Sequence, residues 1–202
     1  IIAVFPGSRV QEIKHVGPYL IEAACSCASS SDYQVVVSVS IPEYRQRILD
    51  LIRLLGLENE VVLYGSNSLD LIRHATFSFT KSGTITLEHA VLETPCVVAY
   101  RFSKWTFWFV KRVLKQAFLK RIRYISLPNM ISQSDIMPEL IQDKVTVSEL
   151  VTLAQYYLNS NAHYQDYCSR LRQFTANLGE PGVSDIAARE IKIILEEVCD
   201  AA

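Results

Sequence analysis

Short apolar runs rich in β-branched residues alternate with stretches of helical spacing along most of this chain, and that alternation restricts its fold more than any other feature. Ile1–Phe5 is continuously apolar, Gln34–Val39 and Val61–Tyr64 are valine-rich, and Phe77–Phe79 and Cys96–Tyr100 repeat the pattern. Tyr124–Leu127 reads as a sixth run of the same kind. Between them, Val16–Ala28, Glu43–Leu55, Leu69–His74 and Ile85–Leu92 read as helices. Pro138–Gln142, Val147–Asn159, Ala162–Asn177 and Ser184–Val198 follow as closing helices. This order predicts an α/β fold: a doubly wound, mostly parallel six-stranded sheet, Rossmann-like, with helices on both faces and a helical C-terminal tail. The expected division is a sheet domain over 1–145 and a group of helices over 146–202. Those helices pack on the sheet domain or cross to another part of the protein or to a second subunit.

With 202 residues, the chain can bury one full-sized core or form a compact half of a larger enzyme. Half of it is hydrophobic and its net charge is −1, so no global field recruits nucleic acid. Cys25, Cys27, Cys96, Cys168 and Cys199 form no paired framework, and the four histidines are scattered. A reducing, cytosolic setting fits, and the spacing argues against a metal site. No long uncharged apolar run spans a membrane. The chain opens directly on a strand, "IIAVF", with neither Met nor leader, and is expected to be a piece of a longer protein.

In a parallel doubly wound sheet, ligands lie beyond the carboxyl ends of the strands, so the strand-to-helix loops are where chemistry is expected. The first such loop is "FPGSRVQE", Phe5–Glu12. Ser8 can cap the helix that follows, and Arg9 offers a planar donor fork suited to phosphate oxygens; a capped turn with a solvated arginine is the plainer alternative. The second is "TKSGTITLEHA", Thr80–Ala90. Gly83 lets a ligand approach the backbone, and a helix from Thr84 aims unpaired N–H groups at any anion there. Glu88 lies one turn on, on the same helical face, where it could accept from vicinal sugar hydroxyls. Phosphate at the tip with ribose one turn along is a nucleoside-diphosphate arrangement; an ordinary cap with Glu in the early helix gives the same residues. The third loop is "YISLPNMI", Tyr124–Ile131, where Asn129 can donate and accept as sugar recognition needs, although Pro-Asn is also turn chemistry.

From Arg101 to Ser134 no acidic residue occurs, and both tryptophans of the protein fall there. On a helix from Lys104, the side chains of Phe109, Val110, Val113, Leu114 and Ala117 form one face. Lys104, Lys111, Arg112 and Lys115 lie on the other with Trp108 among them, and Trp105 adjoins. Tryptophan amid basic residues suits an anionic membrane surface, each charge contributing on the order of 1 kcal/mol. A partner surface is the rival reading. Nucleic acid is disfavoured because no binding motif accompanies the patch.

Taken together, "FPGSR", "KSGTITLE", "YRFSKWTFWFVKRVLK", "YISLPNMI" and "MPELIQD" resemble the ordered motif set of the lipid-A-disaccharide synthase family. The resemblance covers Ile1 to about Asp143 and continues more loosely to the C-terminus. It implies the C-terminal, nucleotide-sugar-binding half of a two-domain glycosyltransferase of GT-B type. The implied reaction moves 2,3-diacylglucosamine from UDP-2,3-diacylglucosamine to 2,3-diacylglucosamine 1-phosphate with inversion, releasing UDP. No metal or other cofactor is implied, and the implied place is the cytoplasmic face of the bacterial inner membrane, held peripherally. Carried over by motif, Gly7, Ser8, Arg9, Ser82, Gly83, Thr84, Glu88 and Asn129 bind substrate, with Arg9 and Asn129 catalytic. A homodimer is possible.

Glu12 reads as the first turn of a helix, so no general base stands out, and GT-B architecture implies one in an N-terminal half. This sequence departs from the family pattern in two places: extra residues within Gln116–Arg123, and Lys81 where a small residue is commoner. Lys81 could add charge near phosphates or simply point to water. The remaining alternatives are another UDP-sugar GT-B transferase or epimerase, and a non-catalytic membrane-adaptor module.

Overall fold

The computed structural model describes residues 1–29, 32–101, 123–179 and 182–200. In chain order the elements are β1 (Ile2–Phe5), α1 (Val10–His15), α2 (Gly17–Ala28), β2 (Val35–Ser38), α3 (Arg45–Leu55), β3 (Val61–Tyr64), α4 (Ser68–His74), β4 (Phe77–Lys81) and α5 (Ile85–Val91). They continue with β5 (Cys96–Tyr100), α6 (Leu127–Ser132), β6 (Glu139–Ile141), α7 (Val147–Leu158), α8 (Asn161–Ala176) and α9 (Val183–Asp200). The strands form one sheet in the order β3-β2-β1-β4-β5-β6, and every neighbouring pair is parallel. This is the doubly wound order of Rossmann-like folds.

Both faces of the sheet are covered, which explains why its strands are continuously apolar rather than alternating. Successive residues of β1 point to opposite faces. Ile2 and Val4 join the large core under α2, α3, α7 and α8, while Ala3 and Phe5 pack with Leu71, Ile72 and Ala75 of the α4 side. The helices beyond Val145 share the large core: Leu150, Ala154, Tyr167 and Leu171 are fully buried in it. Tyr164 and Tyr167 donate their hydroxyls to the carbonyls of Thr76 and Cys96. By contrast, α9 exposes Ile186, Ile191, Ile193, Ile194 and Leu195. Among the described residues, no helix is long and apolar enough to cross a membrane.

Two expectations exchange places. Tyr124–Leu127 makes no strand; its last residue opens α6, with Ser126 as N-cap and Pro128 in the first turn. The sixth strand comes from Pro138–Gln142, the stretch expected to be helical, of which Glu139–Ile141 pairs with β5. A side chain accounts for the first change and a vacant strand edge for the second. The Glu139 carboxylate accepts the N–H groups of Ile125 and Ser126 at 2.9 and 2.8 Å, giving those donors a partner outside any ladder. Proline pre-sets the turn of α6. The 138–142 backbone meanwhile finds the open edge of β5, where Val98 N–H donates to the Pro138 carbonyl. The basic, aromatic stretch, with Lys104, Trp105, Trp108, Lys111, Arg112 and Lys115, lies outside the described residues.

Candidate functional site

All six carboxyl ends lie on one edge, and the winding reverses between β1 and β4. The loops leaving those two strands must part there, which opens a crevice. It holds about 230 Å³ and is lined by residues from the loops after β1, β2, β3 and β4, among them Gly7, Ser8, Glu12, Ser82, Gly83, Thr84 and Glu88. The expected loops after β1 and β4 therefore meet. Arg9 and Asn129 are not in that lining.

On the β1 side, Gly7 adopts φ +113°, a conformation side chains rarely take. A Cβ there would also sit 2.6 Å from Glu12 Oε2 and 2.7 Å from Glu12 Cβ, so the Gly7 turn is folded directly over the Glu12 side chain. Ser8 does not cap α1 with its hydroxyl. Its N–H donates to Glu12 Oε2 at 3.0 Å, and Arg9 occupies the N-cap position without a side-chain cap. The Arg9 guanidinium stands at the rim, 81 % exposed and 3.8 Å from Glu12 Oε1. That same oxygen receives Lys81 Nζ at 2.8 Å. Lys81 thus points neither to water nor away from the crevice: its side chain is 15 % exposed, and Nζ also lies 5.3 Å from the centre of the Tyr100 ring.

On the β4 side, the N–H groups of Gly83 and Thr84 find no acceptor among the described residues. They precede α5, whose first turn closes through Thr86 and Leu87 N–H bonds to Gly83 and Thr84 carbonyls. Glu88 lines the crevice one turn along, and its Oε2 is buried without a hydrogen-bond partner among the described residues. Such an oxygen is costly to leave unmatched, so it marks where a donor from a ligand would be welcome. The Ser82 hydroxyl is already engaged, donating to the Ile125 carbonyl. Leu127 N–H donates to Thr86 Oγ1, a second tie between this corner and the start of α6.

Asn129 sits behind those ties, 1 % exposed. Its Oδ1 accepts from Ile136 and Met137 N–H at 2.9 and 2.8 Å, and its Nδ2 donates to the Met137 carbonyl and to Glu139 Oε1, both at 2.8 Å. Two donors and two acceptor lone pairs are the whole capacity of an amide. In this conformation the side chain has nothing left for a sugar; it fastens α6 to β6. Sequence reasoning set Glu12 aside as a first-turn helix residue and did not single out Glu139. The acidic residue four places after Ser8 was a visible signal for the first, while Glu139 gave none without knowledge of its partners.

Beneath the crevice, His89 is fully buried, edge-on to Phe5 at 5.1 Å. Nδ1 donates to the Ile85 carbonyl, and Nε2 is buried without a partner among the described residues. Burial pushes its pKa down from 6.5 to about 4, only partly opposed by the Ile85 bond. Because the folded pKa lies below the unfolded one, His89 adds no penalty above pH 6.5 and destabilises the fold as pH falls from there towards 4. Urea unfolding should show a loss approaching about 3 kcal/mol from this group across that window. A His89→Asn variant, which does not titrate there, should lack that component.

Strand order and crevice define a Rossmann-like α/β protein, the class that takes its ligands at the topological switch point. Two solved structures share the fold at 14 % identity. A putative UDP-N-acetylglucosamine 2-epimerase from Listeria monocytogenes superposes with a TM-score of 0.59 over 97 % of this chain and 45 % of its own. Os79 from O. sativa, solved with UDP and deoxynivalenol-3-glucoside, gives 0.54 over 94 % and 41 %. The chain belongs to the lipid-A-disaccharide synthetase family, whose family model matches residues 1–188. The lipid-A-disaccharide synthase of Gloeothece citriformis is 31 % identical over 191 residues, covering 94 % of this chain and 48 % of the relative. That of Chromohalobacter salexigens is 31 % identical over 192 residues, covering 95 % and 48 %. The chain therefore spans about half the length of these curated relatives.

Proposed function

We propose that this chain is the donor-binding half of a lipid-A-disaccharide synthase, an inverting hexosyltransferase. It holds UDP-2,3-diacylglucosamine for attack by 2,3-diacylglucosamine 1-phosphate. The observation that carries the reading is the unmatched Glu88 Oε2, in a crevice whose rim also presents the open N–H groups of Gly83 and Thr84. Ribose hydroxyls donate to Glu88. The diphosphate lies between the Gly83–Thr84 corner and Arg9, which turns in from the rim to meet it. Fixed donors of this kind stabilise the charge that grows on the departing diphosphate.

The acceptor hydroxyl gives its proton to a carboxylate and attacks the anomeric carbon from the side opposite UDP. The bond from that carbon to the β-phosphate oxygen breaks, and its electron pair leaves with UDP. The relatives are about twice as long, which supports placing the general base in a part of the protein outside this chain. This half then binds UDP without turning over. Calorimetric titration should show saturable heat with UDP; no heat at millimolar UDP would make the chain a non-catalytic adaptor and defeat the proposal.

The basic, aromatic stretch docks the protein peripherally on the cytoplasmic face of the inner membrane, where both acylated substrates reside, through Lys104, Trp105, Trp108, Lys111, Arg112 and Lys115. Sedimentation should carry the protein down with anionic vesicles and leave it in solution with neutral ones; equal behaviour with both would remove this attachment. The exposed isoleucines of α9 support packing of that helix on the remainder of the protein or on a second subunit.

A further inference from the structure

We propose that Lys81 is the residue by which this crevice selects a nucleoside diphosphate over the same nucleoside with fewer phosphates. The inference rests on the donor reading above and adds a specificity residue to it. Among the described residues that line the crevice, Lys81 is the one cation, and it shares that lining with two carboxylates, Glu12 and Glu88. Without Lys81 the lining would hold two carboxylates and no cation, so a polyanion would meet their charge with nothing to offset it. Arg9 is outside the lining, and at the rim its side chain is 81 % exposed, where water screens its charge strongly.

Position favours Lys81 as well. It is the last residue of β4, directly before the Ser82–Thr84 corner, and its ammonium lies 3.8 Å from where a Cβ on Gly83 would stand. The cation therefore adjoins the same backbone that presents the open N–H groups. It is also held. Glu12 takes one of its three donors at 2.8 Å, and Glu12 is itself fixed by Ser8 N–H and by the Gly7 turn folded over it. The Tyr100 ring supports the ammonium from another side. Two donors remain for phosphate oxygens, on a side chain whose freedom is already lost before a ligand arrives, so ordering it adds little to the entropy of binding.

Calorimetry on the full-length protein with UDP, UMP and uridine tests this. The wild type should bind UDP more tightly than UMP, and UMP more tightly than uridine. Lys81→Met should weaken UDP by about tenfold or more, the loss expected for a charged hydrogen bond, while uridine affinity stays within about twofold and so reports an intact crevice. Lys81→Arg, which keeps the charge, should retain most of the preference. If Lys81→Met leaves the UDP-to-uridine ratio unchanged, or weakens all three ligands equally, the selection is not made by Lys81. A wild type that binds none of the three overturns the donor reading as well, an outcome distinct from the others.

Discussion

Asn129→Ala is expected to lower the free energy of unfolding by about 3–4 kcal/mol, because it strips the buried Met137 N–H and carbonyl of their amide partner and loosens the tie of α6 to β6. The Ile136 and Met137 N–H groups and the Met137 carbonyl each lose their bond to the amide, and Glu139 loses one of its donors. Water does not reach the Met137 groups, since Asn129 is 1 % exposed and Met137 equally so. Urea unfolding monitored by far-UV circular dichroism measures the loss. The damage should spread to the crevice, since Ser82 and Thr86 are tied to Ile125 and Leu127, on the segment that Glu139 also holds. A variant as stable as the wild type but inactive would show instead that the amide turns to a substrate in the working enzyme.

Arg9→Ala should do the reverse. Its guanidinium is 81 % exposed and its ion pair with Glu12 is long, so stability should change by no more than about 0.5 kcal/mol. Turnover by the full-length enzyme should fall by the loss of about 2–4 kcal/mol of transition-state stabilisation, the effect of deleting one donor aimed at a leaving oxyanion. Steady-state kinetics separates the cases: kcat should drop more than KM rises if the contact tightens as charge develops. Unaltered kcat in a folded variant would leave Arg9 as a solvated surface residue. Together the two substitutions would sort the two residues that the family resemblance marked as catalytic, one by folding and the other by chemistry.

Local pattern was enough for most of the scaffold. The runs at 1–5, 34–39, 61–64 and 96–100 are apolar, β-branched and bounded by turn residues, and each is a strand to within a residue or two. It failed where a long-range contact decides between two local preferences. "YISL" has strand composition, yet Glu139 takes its backbone donors and Pro128 starts a helix. "PELIQ" opens with proline and glutamate as a helix would, yet the vacant edge of β5 makes it a strand. The site shows the same division. Glycine, serine and threonine at two strand-end corners were visible in the sequence because turns demand particular residues. The contact of Lys81 with Glu12 was not, since it exists only because β1 and β4 are neighbours, and strand order is written in no local stretch.

The gap between β1 and β4 arises from where the chain changes its direction of winding, so no individual side chain holds it open. A recess made by topology survives the exchange of the residues around its mouth. Changing the chemistry of the crevice therefore asks for substitutions at a few loop positions, such as Ser8, Ser40, Ser68 and Thr84, while the strands stay untouched. For protein engineering, the binding preference and the architecture of this chain are two separately adjustable properties.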